Sequence, residues 1–228
     1  DIGNFNESLG AVILQNGTIT GGSGVLTSTA SYSFREGTVS AIIAGSVAVT
    51  RIATSAAADS VVTMTRDNTY TGATTITSGI LRLGGAGGGT NTPLGTTGGA
   101  TTVANIAALD LNGYTLGTAE AISIAGLGFG LGSTVANGNS NMGAIMNTSS
   151  TPASYSGAIT LTAAARINAD AGALTISSAI SGAFGLTIGG FSDSTFSGVI
   201  GTGTGTITKD GIGVLTLSNS NTYTGATT

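Results

Sequence analysis

An eight-residue segment, Asn-Thr-Tyr-Thr-Gly-Ala-Thr-Thr, occurs twice in this chain of 228 residues, at Asn68–Thr75 and again at Asn221–Thr228. Each copy follows a short run that alternates apolar residues with threonine or serine, the pattern of a β-strand with one buried side. A single strand-turn-strand unit with small side chains cannot bury its own apolar side, so such units must stack on one another. The repeat therefore predicts a stacked, quasi-one-dimensional architecture.

Short runs with the same alternation recur along the whole chain, bounded by Gly, Asn and Ser clusters that favour turns. Typical runs are Val61–Thr65, Gly79–Leu83, Ala107–Leu111, Gly157–Leu161 and Val214–Leu217. Threonine- and glycine-rich segments have poor helix propensity, and only Ile52–Asp59 suggests a single helical turn. The sequence therefore predicts an all-β fold.

Small side chains narrow the choice among all-β architectures. Glycine accounts for 39 of the 228 residues, and charged residues for only 7%. Glycine permits tight turns, and stacked coils pair every strand with the coils above and below it. We predict one elongated parallel β-solenoid over residues 1–228, built from Gly/Thr-rich strand-turn repeats. About 20 residues per coil would give about 11 coils in a rod about 50 Å long.

The residue types that are missing restrict the chemistry. The chain has no histidine and no cysteine, which excludes a Ser-His-Asp triad, a thiolate nucleophile and ordinary zinc, iron–sulfur or haem sites. Its six basic residues are scattered and its net charge is −4, which argues against nucleic-acid binding. The longest apolar stretch, Ala41–Val49, is too short for a membrane helix. We expect no catalytic, cofactor or metal site, no nucleic-acid partner and no membrane insertion of this segment.

The two repeat segments, Gly211–Thr228 (GIGVLTLSNSNTYTGATT) and Val61–Gly85 (VVTMTRDNTYTGATTITSGILRLGG), resemble a known family. They are similar to the autotransporter-associated β-strand repeat, also called the passenger-associated transport repeat. Met64 and Arg66 depart from the leucine and the small polar residue that are usual at their positions. Glu36–Gly45 resembles the segment that commonly precedes such a repeat.

This resemblance implies a right-handed parallel β-solenoid in a bacterial cell-surface or secreted protein, and it brings no catalytic residues with it. The leading hypothesis is a non-catalytic, rigid stalk or passenger segment, extracellular and associated with the outer membrane, that supports adhesion or filament formation. Expected partners are other copies or adjacent repeats of the same protein, end to end or side by side, and host-surface or matrix glycans. Because the second copy stops at Thr228, where the family pattern would continue, we expect a segment of a longer array.

A polysaccharide-degrading enzyme on a β-helix is the main alternative. It would need two or three carboxylates converging on one face, with basic residues or calcium. Asp59 and Asp67, with Arg66 between them, are the one local group to inspect, and solvated turn residues are the simpler interpretation of them. Gly126–Gly130 and Gly201–Gly205 have the glycine spacing of phosphate loops, but neither opens a helix or is followed by Lys-Ser/Thr. We therefore interpret them as turns or small-residue strands.

An ice- or glycan-binding module is a third possibility, because threonine arrays on a flat face can order water. Thr-x-Thr pairs occur at Thr18/Thr20, Thr63/Thr65, Thr69/Thr71, Thr75/Thr77 and Thr222/Thr224, and through Thr202–Thr208. Ice binding needs one constant spacing from coil to coil, and the irregular spacing in the sequence argues against it. Tyr70 and Tyr223 could stack on a sugar, but their identical placement favours a structural wedge at equivalent corners of the cross-section.

Overall fold

The structure is a computed structural model that describes residues 1–53, 60–118, 120–129 and 143–228. About 50% of the chain is strand, and the described ranges contain no helix, hence none that could cross a membrane. The strands are β1 (Glu7–Leu14), β2 (Thr18–Ile19), β3 (Val25–Phe34), β4 (Gly37–Val39), β5 (Ile42–Ala44), β6 (Val49–Arg51), β7 (Val61–Met64), β8 (Thr74–Leu83), β9 (Asn91–Thr92), β10 (Gly95–Thr96), β11 (Thr101–Asp110), β12 (Ile122–Gly126), β13 (Ile145–Asn147), β14 (Ala153–Tyr155), β15 (Ile159–Ala169), β16 (Leu174–Ile176), β17 (Ile180–Ser181), β18 (Leu186–Gly190), β19 (Ser194–Phe196), β20 (Ile200–Gly201), β21 (Ile207–Lys209) and β22 (Leu215–Leu217).

The strands stack into a parallel β-solenoid of about nine turns, which confirms the predicted fold class. The pairing defines three faces. Face A follows the order β1-β3-β6-β8-β11-β12-β15-β17-β20. Face B contains β2, β4, β7, β13, β18 and β21, together with the C-terminal halves of β8, β11 and β15. Face C contains β5, the N-terminal halves of β1 and β3, and the sheet β14-β16-β19-β22. The chain visits A, B and C in turn.

The last coils are the most regular part of the rod. On face A, Ile159 pairs with Ile180 and Ile180 with Ile200, so one circuit takes 20 or 21 residues. Isoleucine, leucine and valine fill the inward positions, and their side chains are buried in one continuous core that runs through the whole solenoid. Stacked strands lie about 4.8 Å apart, so each apolar side chain packs on its equivalents in the coils above and below.

The number of coils is smaller than the sequence suggested, about nine and not about 11. Some circuits are longer than 20 residues, because segments leave the faces and return. The widest separation between paired residues is that of Thr115 and Ser154, which form a parallel bridge. The Asn- and Gly-rich composition of Val135–Met146 predicts a loop, but its last residues, Ile145 and Met146, already belong to β13. Residues 135–142, and residues 54–59 of the suggested helical turn, lie outside the described residues.

The outer side of face B carries a second, smaller apolar cluster. Ile80, Ala108, Phe129 and Met146 are buried there, although they point away from the main core. Their strand neighbours Leu81, Leu109 and Ile145 belong to the interior cluster instead. The outside of face B is therefore partly covered, and polar side chains next to this cluster lose access to water.

Candidate functional site

The first repeat copy binds the coils on both sides of it. The Tyr70 side chain is fully buried, and its hydroxyl lies 2.7 Å from Thr74 Oγ1. Asn68 Oδ1 accepts a hydrogen bond from the Ile43 amide (3.0 Å), and Asn68 Nδ2 donates to the Pro93 carbonyl (2.9 Å). The asparagine thus takes the place of a strand residue in the ladder, and the tyrosine fills the corner beneath it.

The second copy repeats two of these three contacts. Asn221 Oδ1 accepts from the Ile200 amide (2.8 Å), and the Tyr223 hydroxyl lies 3.0 Å from Thr227 Oγ1. Tyr223 is half-buried and packs against the main core. Both copies therefore share one local design, an asparagine that pairs with the preceding coil and a tyrosine that reaches the threonine four residues later.

The two copies nevertheless lie on different faces. Thr74 pairs with Val49 and belongs to face A, whereas Thr227 bridges to Ile207 on face B. The prediction of equivalent corners is therefore right for the local contacts and wrong for the position in the cross-section. The physical reason is that the three corners are alike, so a motif can occupy any of them when the number of strands between two copies is not a multiple of three.

An aromatic-x-Gly core links these copies to two degenerate ones, at Tyr155–Gly157 and Phe196–Gly198. Tyr155 and Phe196 end strands of face C, and both rings are buried in the core. At Gly198 a β-carbon would collide with the Ser178 carbonyl of the preceding coil. The aromatic ring fills the interior and the glycine lets the corner approach its neighbour, which explains the fixed spacing between them.

A carboxyl group lies inside the solenoid at Glu120. Its side chain is 1% exposed, and it accepts hydrogen bonds from the hydroxyls of Thr101 and Thr92. Burial raises the pKa of Glu120 to about 7, against the two hydrogen bonds that lower it. The Tyr155 hydroxyl donates to the Glu120 backbone carbonyl (2.5 Å). This carboxyl group therefore holds a proton close to neutral pH, within a closed set of hydroxyl partners.

A second carboxyl group, Asp110, is fully buried on the outer side of face B. Arg82 Nε donates to Asp110 Oδ2 (2.8 Å), and the Thr148 hydroxyl donates to the same oxygen (2.6 Å). Asp110 Oδ1 accepts from the amides of Asn112 (3.0 Å) and Thr148 (3.2 Å). Four donors from three coils therefore surround one carboxylate, which compensates the loss of water.

A third group lies farther along the same face. Arg166 Nη1 and Nη2 donate to the two carboxylate oxygens of Asp210, at 2.6 and 2.7 Å. Arg166 also donates to Asn168 Oδ1, and Asn168 Nδ2 donates to Asp170 Oδ1. Burial, together with the charge of Asp110, raises the pKa of Asp170 to about 7, while the contacts with Asn168 and Arg166 act in the opposite direction.

The acidic residues include both exposed and buried side chains, and the interpretation as solvated turn residues concerned Asp59 and Asp67 alone. Asp67 is exposed as expected, and Arg66 donates to the Gly22 carbonyl (2.6 Å), but Asp59 lies outside the described residues. Asp110, Glu120 and Asp170 are buried instead. In the part of the chain that is described, no three acidic side chains form a group that could hold a metal ion. What the arrangement can do chemically is tie coils together and retain protons.

A row of hydroxyl groups runs along the outside of face A. Register pairs Thr50 with Thr75, Thr75 with Thr102, and so on through Ser123, Thr160 and Ser181. Each side chain belongs to the next coil, so neighbouring hydroxyls are spaced by the strand separation of about 4.8 Å. We call this set the face A hydroxyl row.

An exposed alanine stands two residues before each member of this row. The alanines are Ala48, Ala73, Ala100, Ala121, Ala158 and Ala179. Face C has a shorter hydroxyl row, from Thr115 through Ser154 and Thr175 to Thr216. Its flanking positions vary and include Asp193 and Val214. Face A is therefore the more uniform, uncharged surface.

The irregular spacing of threonines in the sequence argues against a regular hydroxyl surface. The face A hydroxyl row shows that this prediction is wrong. The coils differ in length, so the hydroxyl residues are unevenly spaced in the sequence. They are nevertheless evenly spaced along the rod, because each one pairs with the next across neighbouring strands. Of the Thr-x-Thr pairs, Thr75/Thr77 lies on face A, whereas Thr18 and Thr63 lie on face B. The sequence signal that identifies the row is a different one, the triplet Ala-(Val/Ile/Thr)-(Thr/Ser), which occurs at each of its six coils.

A family model for the passenger-associated transport repeat matches the chain at residues 60–83 and 207–228. Both matches agree with the segments identified from the sequence, and they cover the two tyrosine corners described above. Comparisons with curated proteins and with solved structures found no match. The family is associated with autotransporter passengers on the bacterial surface, which supports an extracellular location in general terms. The chain thus carries two passenger-associated transport repeats on one β-solenoid.

Proposed function

We propose that this chain is a non-catalytic, load-bearing segment of an autotransporter passenger-like protein at the bacterial outer membrane. The observation that carries the proposal is that both repeat copies serve the same local purpose, which is to join successive coils. Asn68 and Asn221 complete the ladder, and Tyr70 and Tyr223 fill the corner beside it. These contacts between coils give both matched segments a structural role, which supports the proposal.

Rigidity is the property that this design supplies. Every coil contributes strands to faces shared with its neighbours, and one apolar core runs through all of them. Bending the rod would separate hydrogen-bonded strands on one side, so a long solenoid projects whatever it carries at a fixed distance. We infer a role in adhesion or in a surface filament from this mechanical property.

Lateral association with other copies is supported by exposed apolar side chains on the last coils. Phe191 and Ile212 are 45% and 71% exposed, and they follow the paired strands β18 and β21 at the same corner. Apolar groups on neighbouring coils form a stripe along the rod, and such stripes mark interaction surfaces. End-to-end contacts between coils and binding of matrix glycans are further proposals for the partners of this segment.

Assembly is tested by sedimentation velocity and negative-stain microscopy of the purified chain at low and high salt. We expect rods that associate more strongly at high salt, because salt screens the net charge of −4 and leaves apolar contacts intact. The double variant Phe191→Ser/Ile212→Ser should reduce association, and Ile106→Ser, which is 60% exposed on another part of the rod, should not. Dispersed monomers under all conditions would contradict the filament role.

The non-catalytic assignment has a separate test. Incubation with a panel of acidic and neutral polysaccharides should release no reducing ends and no unsaturated products above a blank. Release that disappears in Asp110→Asn or Asp170→Asn would instead support the alternative of an enzyme on the β-helix. We choose these two positions for substitution because they are the buried acids on the outer side of face B.

Binding of ice is a second candidate function, favoured by the face A hydroxyl row. The row is evenly spaced over six coils, it is flanked by alanine throughout, and it carries no charge, so ordered water could dock along it. Thermal hysteresis and inhibition of ice recrystallisation test this. Thr102→Tyr should abolish either activity because it interrupts the row at an exposed position, whereas Ser156→Tyr, exposed at a corner, should leave it unchanged. Wild-type chain without either activity would exclude this candidate.

A further inference from the structure

The turn between β1 and β2 holds an asparagine side chain against the backbone nitrogen of the glycine that follows it. Asn16 and Gly17 are both exposed, and the Gly17 amide nitrogen donates to Asn16 Oδ1 over 2.6 Å. Gly17 has φ +92°, and no atom beyond the two adjacent residues lies within 4 Å of the place where its β-carbon would be. The backbone nitrogen that follows the asparagine therefore lies directly against the asparagine side chain, in an exposed turn.

We propose that Asn16 is a site of spontaneous deamidation through a succinimide. Hydroxide removes the Gly17 amide proton, and the nitrogen forms a bond to Asn16 Cγ. The bond from Cγ to Nδ2 breaks, and Nδ2 leaves as ammonia with a proton from water. A second water molecule then opens the ring at either carbonyl, which yields aspartate or isoaspartate at position 16. No electrons are transferred, and water is the only co-reactant.

A second Asn-Gly pair in the described residues is held in a way that blocks this reaction. The Gly113 amide donates to Asn147 Oδ1 (2.9 Å), and Asn112 Nδ2 donates to the Leu83 carbonyl (3.0 Å). Both reacting groups must first break a hydrogen bond before they can meet, which requires local opening of the solenoid. Asn112–Gly113 therefore serves as a control within the same molecule. The pair Asn137–Gly138 lies outside the described residues.

Asn219–Ser220 provides a third comparison. The Ser220 amide donates to Asn219 Oδ1 (2.8 Å), the same contact that Gly17 makes with Asn16. Asn219 Nδ2, however, also donates to the Ser197 carbonyl (2.9 Å), and the following residue carries a side chain beside the attacking nitrogen. This exposed site should react more slowly than Asn16, although the two share the nitrogen-to-oxygen contact.

Conversion of Asn16 would alter the contact between the first coils. The Gly17 carbonyl accepts a hydrogen bond from the Thr38 amide (2.9 Å), just before β2 begins its pairing with β4. Asn16 also lines a surface groove of about 480 Å³ together with Glu36 and Arg82. Deamidation adds a negative charge to this groove, and isoaspartate inserts a methylene group into the backbone next to the β2–β4 pair.

The test follows the full-length chain over weeks in mildly alkaline buffer, with peptide mapping by mass spectrometry and an assay for isoaspartate. We expect conversion at Asn16 to be at least about tenfold faster than at Asn112, since two hydrogen bonds hold the latter pair. The same chain in denaturant should convert Asn16 and Asn112 at similar rates, which would attribute the difference to the fold.

The variant Asn16→Gln supplies the matched control, because its longer side chain would have to close a less favourable ring. It should fold normally, as residue 16 is exposed, and it should show no conversion at that position. Equal rates at Asn16 and Asn112 in the folded chain would overturn the proposal. So would a folded chain in which Asn16 stays unconverted while it reacts in denaturant.

Discussion

Three carboxyl groups lie at positions where charged side chains are seldom found. Asp110, Glu120 and Asp170 are at most 7% exposed, yet each has its own set of partners. Asp110 is paired with Arg82, whereas Glu120 has only hydroxyl donors around its carboxylate. At Asp170, one carboxylate oxygen is buried without a hydrogen-bond partner. Asp110 is therefore a buried acid paired with a cation, whereas Glu120 and Asp170 hold a proton near neutral pH.

We expect stability to fall as the pH rises through neutrality. The folded-state pKa of Glu120 is about 7 against an ordinary value of 4.5, and that of Asp170 is about 7 against 3.8. The folded chain then holds protons that the unfolded chain releases, so this stabilisation is complete below the ordinary values and is lost through pH 7. As the pH rises from about 4 to 8, the loss of the proton from each group should lower the free energy of unfolding by roughly 3 kcal/mol.

Urea unfolding at a series of pH values measures this slope. Glu120→Gln keeps the shape and hydrogen-bonding capacity of the side chain but does not titrate, so it should flatten the profile and stabilise the chain at pH 8. Glu7→Gln is the matched control, because Glu7 is exposed. A wild-type profile whose stability rises from acid to neutral pH would contradict the assignment.

Gly189 is required by the ion pair beside it. A β-carbon at this position would collide with Asp210 Oδ1 and with Arg166 Nη2. Gly189→Ala should therefore break the bidentate contact and leave Arg166 buried without a counter-charge, at a cost of about 3 kcal/mol. Thermal or urea unfolding measures the loss. Gly98→Ala is the control, because the nearest atom lies 3.9 Å from the added β-carbon. It should change the free energy of unfolding by less than about 0.5 kcal/mol. Equal losses of stability in the two variants would refute the role of Gly189.

At the scale of elements, the aromatic-x-Gly core is the unit from which corners are built. Tyr155 and Phe196 mark the end of a strand on face C, and Tyr70 stands at the corresponding corner. Tyr223 uses the same contacts one corner farther on. Because this motif fits any of the three corners, the number of residues between two copies need not be constant. Coils of unequal length can therefore lie between them.

The two tyrosine hydroxyls should differ in their contribution to stability. Tyr70→Phe removes a hydrogen bond inside the core and leaves Thr74 without that partner, which should cost about 1 kcal/mol or more. Tyr223→Phe removes an exposed bond and should cost less than about 0.5 kcal/mol. Differential scanning calorimetry of both variants tests the ranking. A larger loss for Tyr223→Phe would show that the second corner is the more important one.

At the scale of the whole molecule, stability is distributed along a line of near-identical contacts. Removal of one complete coil, residues 180–199, would bring Ile200 onto the position that Ile180 occupies above Ile159. The shortened chain should fold into a rod about 4.8 Å shorter with the same strand content. Circular dichroism and small-angle X-ray scattering measure both quantities.

Removal of half a coil, residues 180–189, is the control for that experiment. It would place Gly190 and Phe191, at the end of face B, on face A and would shift β19 of face C onto face B. The corner glycines would then be out of register with their neighbours. We expect this chain to lose strand content or to aggregate. If it folded as well as the chain that lacks a whole coil, the register of the coils would not be what holds the solenoid together.

The parallel β-solenoid and the two repeat segments could be predicted from the sequence, because they follow from local properties. Alternation of apolar and hydroxyl side chains specifies strands, and the identity of Asn68–Thr75 with Asn221–Thr228 specifies a repeated unit. Because the side chains are small, a single strand-turn-strand unit can bury its apolar side only by stacking on other units. These features need no knowledge of which coil lies above which.

Register between coils was decided by the tertiary structure alone. It set the number of coils, moved the second repeat to another face, and assembled Thr102, Ser123 and Thr160 into one hydroxyl row from uneven positions in the chain. It also brought Arg166 to Asp210 across an intervening coil. Coil length depends on how far each loop leaves the faces, and loops of different length can span the same short distance between neighbouring coils, so spacing in sequence does not reveal spacing in space.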